Sequence, residues 1–83
     1  MTREKTMEII KGENLKFFNW FDGHEIKPNE VGIRQKEVKW IVYSTDERAN
    51  LVSEKEFYSE CEALENYIKR LRATNKYNRL YKK

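Results

Sequence analysis

The sequence is poor in residues that cross-link a chain or bind metals: its 83 residues include one cysteine, Cys61, and one histidine. A single cysteine excludes an intramolecular disulfide, and one cysteine with one histidine excludes the usual four-ligand zinc sites. No apolar run approaches the length of about 18 residues that a transmembrane helix needs. Residues 1–8 lack the hydrophobic region of a signal peptide. These absences predict a protein of the reducing cytoplasm without a membrane anchor.

The motifs of common enzymes are also lacking. The sequence has no P-loop, dinucleotide fingerprint, His-Glu-x-x-His pattern or nucleophile motif. The only histidine lies in Asp22-Gly23-His24-Glu25, where two nearby carboxylates would suit acid–base chemistry or a metal ion. A catalytic pair is normally assembled from separate elements, so a solvated turn is the better interpretation. The sequence predicts a protein that is not an enzyme, without catalytic residues, metal site or cofactor.

What the chain has in abundance is charge, which makes up 37% of its residues, and aromatic side chains, which make up 13%. A single domain of this size has a thin core, so the large rings must build much of it. The charge is unevenly distributed. Residues 1–68 carry ten basic and fourteen acidic residues, a net charge of −4, whereas residues 69–83 carry seven basic residues and no acid. The basic character of the chain therefore belongs to its C-terminal segment.

Hydrophobic periodicity and turn residues predict the element order α-β-β-β-β-α. This order implies a small single α+β domain, with an antiparallel sheet and helices packed mainly on one face. The best candidate for a central strand begins at Val38 after a reversal at Lys36-Glu37. There, Val38, Trp40 and Val42 face one way, and Ile41 and Tyr43 face the other. We predict helices or strands over residues 2–11, 15–21, 31–35, 38–43 and 51–57, and a last helix after Ser59.

The last helix is the clearest element, since Ser59 and Glu62 form a capping box at its start. Its predicted buried face, an arc of about 120°, includes Cys61 as a small core residue. A second apolar stripe follows on another side of the helix, so either the chain bends near Thr74-Asn75 or this stripe meets something else. We therefore divide the chain into a domain over residues 1–73 and a basic helical extension or tail over residues 74–83. The first stripe consists of Cys61, Leu64, Tyr67, Ile68 and Leu71, and the second of Ala73, Tyr77, Leu80 and Tyr81.

A charged cluster, Asp46-Glu47-Arg48, lies between two predicted strands. It is either a polar turn with an internal ion pair, which would contribute only about 0–1 kcal/mol, or a charged contact patch for a basic partner. Candidate neighbours in such a patch are Glu30, Trp20 and Tyr43. The aromatic run 17–21 is expected to be mainly core, and Trp20 is its member most expected to be exposed, because tryptophan is enriched at binding hot spots.

The basic C-terminal segment allows three interpretations. Its cations could neutralise phosphates while its tyrosines stack on bases; it could be a solvated helix end; or its apolar residues could form a homodimer seam. Its apolar face is too small to favour membrane attachment. The candidate basic patch consists of Arg72, Lys76, Arg79 and Lys82, and the candidate seam consists of Tyr77, Leu80 and Tyr81.

Four segments of the sequence carry a family resemblance: Asn29-Glu30-Val31-Gly32-Ile33, Lys39-Trp40-Ile41-Val42-Tyr43, Thr45-Asp46-Glu47-Arg48-Ala49 and Glu62-Ala63-Leu64-Glu65-Asn66-Tyr67-Ile68-Lys69-Arg70. Together they resemble immunity protein family fifty-nine, small bacterial proteins encoded beside polymorphic toxins. The resemblance runs from the first helix to Leu71 and does not reach the stretch after Ala73. It implies an inhibitor that is not an enzyme and that binds a cognate toxin domain, blocking its active site or its substrate access. The alternative is a small nucleic-acid-binding regulator acting through the basic segment.

On this resemblance, Asp46, Glu47 and Arg48 are candidate toxin contacts. A motif that a whole family shares could equally shape the turn, because toxin specificity normally resides in variable positions. Both interpretations stay open from the sequence.

Overall fold

A computed structural model of the chain describes residues 1–81, with side chains to residue 78. It confirms the α+β class and the element order. No helix in this part of the chain combines the length and apolar character needed to cross a bilayer. The elements are α1 (Arg3–Gly12), β1 (Phe18–Trp20), β2 (Val31–Lys36), β3 (Lys39–Thr45), β4 (Leu51–Phe57) and α2 (Glu60–Tyr81).

The four strands form one sheet in the order β1-β2-β3-β4. Strands β2, β3 and β4 are antiparallel, as predicted. The sheet as a whole is mixed, because β1 pairs with β2 in parallel, Phe18 opposite Val31 and Trp20 opposite Ile33. This corrects the expectation of a purely antiparallel sheet. The long segment 21–30 carries the chain back to the end of the sheet where β1 begins, so β2 runs in the same direction as β1.

The β2–β3 hairpin turns one residue later than the sequence predicted. Lys36 pairs with Lys39, so Glu37 and Val38 form the two-residue turn. Glu37 has the positive φ of 57° that such turns require. Val38 is 74% exposed, and the prediction that it belongs to the core was wrong. Trp40 does pack against the core, as predicted.

Helix α2 provides half of the buried residues of the core cluster and covers the face of the sheet that carries Ile33 and Val42. Four members of its predicted buried face are indeed buried. Cys61 is not: it is exposed, and the prediction of a core cysteine was wrong. The buried face of α2 includes Ala63, at the margin of the apolar stripe opposite Cys61. The helix is therefore rotated so that Cys61 faces solvent. The buried residues of α2 are Ala63, Leu64, Tyr67, Ile68 and Leu71.

Side-chain hydrogen bonds cap both helices and hold α2 against the rest of the chain. Thr2 Oγ1 accepts from the Lys5 amide at 3.1 Å, and Ser59 Oγ, the predicted N-cap of the last helix, accepts from the Glu62 amide at 3.4 Å. Helix α2 continues without interruption through Asn75. The Asn75 side chain accepts from the Lys16 amide at 2.7 Å and donates to the Lys16 carbonyl at 2.9 Å. This pair of bonds fixes α2 to the segment that precedes β1.

The opposite face of the sheet is built around Tyr43, which is completely buried. Its ring lies directly over Gly32, the residue that it pairs with across β2 and β3. The Arg34 guanidinium covers the ring from outside, 4.7 Å from its centroid. Burial raises the pKa of the Tyr43 phenol. Gly32 is therefore required for close approach rather than for backbone freedom.

Candidate partner-binding surface

The loop between β3 and β4 is organised by the carboxylate of Asp46. Asp46 Oδ1 accepts from the backbone amides of Arg48 at 2.8 Å and Asn50 at 2.9 Å. The Asp46 carbonyl also accepts from the Ala49 amide at 3.1 Å, and Ala49 has a positive φ of 63°. The amides of Asn50 and Arg48 hold the pKa of the Asp46 carboxyl below its usual value. Asp46 thus acts as the internal cap of this loop.

The other two charges of the predicted cluster are presented to solvent. Glu47 and Arg48 are both exposed. The internal ion pair considered from the sequence does not form, since Asp46 binds the backbone of Arg48 rather than its guanidinium. Within the described residues neither side chain has a hydrogen bond or ion pair. We refer to residues 46–48 as the 46–48 loop: one of its residues fixes the backbone, and two are available for contact.

The 46–48 loop is joined to the segment before β2 through Thr45 and Glu30. Thr45 Oγ1 accepts from the Glu30 amide at 2.8 Å and donates to the Lys27 carbonyl at 2.7 Å. The Asn29 amide donates to the Asp46 carbonyl at 2.9 Å. Glu30 is buried, so this sequence-predicted neighbour lies beside the loop mainly as a structural residue.

The histidine motif does not assemble as its sequence neighbours suggested. His24 Nε2 lies 2.5 Å from Glu30 Oε2, and neither the Asp22 nor the Glu25 carboxylate forms an ion pair with the ring. The second oxygen of Glu30 accepts from the Lys27 amide at 3.0 Å. Among residues 1–78 no cluster of three histidine, cysteine or acidic side chains is arranged to hold a metal ion. The His24–Glu30 pair therefore closes segment 21–30 against β2.

A groove of about 430 Å³ separates the C-terminal turns of α2 from the ends of β2 and β3. Thr45 lies on its wall and directly precedes the 46–48 loop, so the groove and the loop are adjacent. This brings together the two regions that the sequence singled out separately, the charged cluster and the C-terminal segment. We refer to the groove and the 46–48 loop as the loop–groove surface. The groove is lined by Asn29, Glu30, Ser44, Thr45, Ala73, Thr74, Tyr77 and Asn78.

Two other sequence-predicted contacts lie away from this surface. Tyr43 is part of the core, so its side chain is not available to a partner. Trp20 is half-buried in β1, at the edge of the sheet opposite β4. Its ring packs against Phe21 with a centroid distance of 4.8 Å and against Tyr67 with one of 5.8 Å. Both residues are accounted for by packing.

The predicted basic patch is only partly available. Arg72 forms a two-pronged ion pair with Glu13, through bonds of 3.0 and 2.5 Å, and these hydrogen bonds lower the pKa of the Glu13 carboxyl. Lys76 is exposed on α2. The side chains of Arg79 and Lys82 lie outside the described residues, as do those of Leu80 and Tyr81 from the predicted dimer seam.

One residue that the sequence did not single out stands at this surface. Arg70 extends from α2 to the sheet, where its Nη1 donates to the Ser53 carbonyl at 2.9 Å and to Ser44 Oγ at 3.2 Å. Burial lowers the pKa of its guanidinium. In the sequence, Arg70 is one of seven basic residues of the segment 69–83, and nothing in the local pattern distinguishes it.

Residues 2–83 match the family model described as Immunity protein 59. The match includes the stretch after Ala73, which the resemblance seen in the sequence did not reach. No curated protein matches the chain, and no solved structure matches it. The chain therefore belongs to the Immunity protein 59 family, and its general role is that of an immunity protein.

Proposed function

We propose that this protein neutralises a cognate toxin domain by binding it through the loop–groove surface and covering its active site or its substrate access. The proposal takes its general form from the family. The choice of surface rests on the 46–48 loop. Glu47 and Arg48 expose two opposite charges there, on a backbone that Asp46 holds in place.

A fixed loop is suited to binding for an energetic reason. Ordering a flexible loop at an interface consumes part of the binding free energy, whereas a loop that is already ordered avoids this loss. Asp46 supplies that order through two backbone amides and its own carbonyl. Glu47 and Arg48 can then meet complementary charges on the toxin without first giving up a partner within the described chain. Such charges set orientation and specificity.

The size of a stable interface supports the inclusion of the groove. A standard interface buries about 800 Å² on each partner. The protein exposes 5773 Å² in total, so such an interface would take up about one seventh of its surface. Two loop residues cannot provide this area. The groove and the adjoining turns of α2 extend the loop into a larger surface, because Thr45 belongs to the groove wall and directly precedes the loop.

The test is co-production with the toxin domain encoded beside the gene, with growth and the dissociation constant as readouts. The variant Glu47→Lys with Arg48→Glu exchanges the two loop charges without altering net charge. We expect this variant to bind at least tenfold more weakly, because hot-spot substitutions typically cost 2 kcal/mol or more. We also expect it to lose protection of the host cell.

The matched control exchanges a second adjacent and exposed pair, Lys36→Glu with Glu37→Lys at the β2–β3 turn, which lies at the opposite end of β3 from the 46–48 loop. It should bind and protect like the wild type. A loop exchange that leaves both readouts unchanged would exclude the 46–48 loop from the interface. A wild-type chain that neither binds nor protects would refute the proposed function itself.

A further inference from the structure

Arg70 is a half-buried cation without an anionic partner. Its two hydrogen bonds go to neutral acceptors, a serine hydroxyl and a backbone carbonyl. None of the ion pairs among residues 1–78 includes it, although most other arginines of this region have a carboxylate within reach. Withdrawing a guanidinium from water is unfavourable unless an anion compensates for the lost hydration. This environment therefore calls for an explanation.

The chain itself offers no carboxylate at this position. On α2, the residues one turn before and one turn after Arg70 are Asn66 and Thr74. On the strands, the helix-facing neighbours of its two serine acceptors are Val42 and Lys55. The acids of β4, Glu54 and Glu56, alternate onto the opposite face of the sheet. The positions nearest to Arg70 on these elements therefore carry neutral groups and one further cation. Glu30, the carboxylate that lines the groove, is already bound to His24 and to the Lys27 amide.

The guanidinium also retains most of its hydrogen-bonding capacity. An arginine has five N–H donors in a planar fork, and only Nη1 of Arg70 donates within the described residues. Ser44, which accepts one of these bonds, lines the groove together with Thr74. The remaining donors are suited to a carboxylate, which an arginine binds through two parallel hydrogen bonds.

We propose that Arg70 is an anion-binding anchor beside the groove and that its ligand is a carboxylate side chain of the toxin domain. The inference rests on the proposed function for the identity of the partner. A carboxylate fits better than a nucleic-acid backbone, because Glu30 lines the same groove and Glu47 projects from the adjacent loop. These acids would repel a chain of phosphates but leave room for a single anion at Arg70.

The first experiment measures the dissociation constant of the toxin domain for the wild type, Arg70→Gln, Arg70→Lys and the control Lys69→Gln. The control removes the same charge from the neighbouring, exposed position. We expect Arg70→Gln to bind at least tenfold more weakly and Lys69→Gln to change binding by less than about threefold. Arg70→Lys should fall between them, because a lysine cannot form the two-pronged bond.

If Arg70 only stabilised the fold, Arg70→Gln would weaken toxin binding only by reducing the amount of folded protein. The amide of Arg70→Gln can still donate a hydrogen bond, so we expect its urea midpoint to stay close to that of the wild type. If Arg70→Gln binds the toxin like the wild type, the anchor is refuted while the proposed function stands. The anchor is also refuted if Arg70→Gln loses binding only in proportion to a loss of folded protein.

The second experiment uses the chain alone, so that it is independent of the toxin. Sodium acetate is titrated into labelled protein while the Arg70 side-chain resonance and the amides of Ser44 and Thr74 are followed by NMR. We expect saturable shifts in the millimolar range that are absent in Arg70→Gln. If the wild type does not bind the toxin, these shifts still support an anion site, and their absence refutes it. Arg70-dependent binding of a single-stranded oligonucleotide without an acetate response would overturn the carboxylate assignment in favour of nucleic acid.

Discussion

Gly32→Ala is the substitution whose effect follows most directly from the structure. A Cβ atom built on Gly32 would lie 2.5 Å from Cε2 of Tyr43 and closer still to Cζ and the hydroxyl oxygen. Carbon atoms in ordinary contact are about 3.5–4.0 Å apart. The ring would therefore have to withdraw by more than about 1 Å. It has nowhere to go, because Tyr43 is fully buried and Arg34 covers its outer side.

The size of the effect can be worked out from the kind of contact. Overpacking a core typically costs about 1–3 kcal/mol. Because the Tyr43 ring is rigid and lies directly over its cross-strand partner, we expect a loss of stability at the upper end of this range, about 3 kcal/mol. A domain of this length has a stability of about 4–12 kcal/mol, at 0.05–0.15 kcal/mol per residue. The variant should therefore lose at least a quarter of its stability, which lowers the melting temperature by about 12–24 °C.

The assay is urea unfolding followed by circular dichroism, with Gly12→Ala as the control. No atom lies near a Cβ at Gly12, which ends α1, so alanine there should be neutral or slightly stabilising. The double variant Gly32→Ala with Tyr43→Leu removes the ring, and its loss should be about 2 kcal/mol smaller than the sum of the two single losses. A Gly32→Ala protein as stable as the wild type, or strictly additive losses, would refute the close approach of Gly32 to Tyr43.

Two further predictions concern the 46–48 loop and the attachment of α2. The lowered pKa of Asp46 means that its stabilising effect is present above 3.8, the ordinary value, and is lost as the pH falls through the lower value in the folded protein. The urea midpoint of the wild type should therefore fall more steeply below pH 3.8 than that of Asp46→Asn, and parallel curves would contradict the role of this carboxylate. Asn75→Ala should lower the free energy of unfolding by about 2 kcal/mol, because it removes both bonds to Lys16. Asn78→Ala, which removes only a bond within the helix, should have little effect, and equal losses in the two variants would contradict the tether.

The fold was largely predictable because its core residues follow simple periodicities. The alternation of Trp40 and Val42 with Ile41 and Tyr43 assigned both faces of β3 correctly. The wrong predictions concern Val38 and Cys61, two positions at which a small shift of the element changes whether the side chain is buried. The sequence has no glycine to mark the β2–β3 turn, so Val38 was assigned to the strand. Cys61 lies at the margin of the apolar stripe of α2, where burial depends on how the helix is rotated against the sheet.

The candidate site was less predictable because it is assembled from distant segments. The sequence marked Asp46, Glu47 and Arg48 but left the turn and the contact interpretations as alternatives. In the structure, Asp46 fits the turn interpretation because it fixes the loop backbone. Glu47 and Arg48 face solvent and are available for contact. Nothing local reveals that α2 runs far enough to form a groove with Thr45. The sequence does not reveal the environment of Arg70 either. Its lack of a counterion depends on which side chains of β3 and β4 lie next to it.

The most direct test of the central claim is a titration of the toxin's own activity. The toxin domain encoded beside the gene is assayed at fixed concentration while increasing amounts of this protein are added. We predict that activity falls to the background level at an equimolar ratio. We also predict that, at the equimolar ratio, the Glu47→Lys, Arg48→Glu variant leaves more of the toxin active than the wild type does. A toxin that stays fully active at a large excess of the folded wild-type protein would contradict the account.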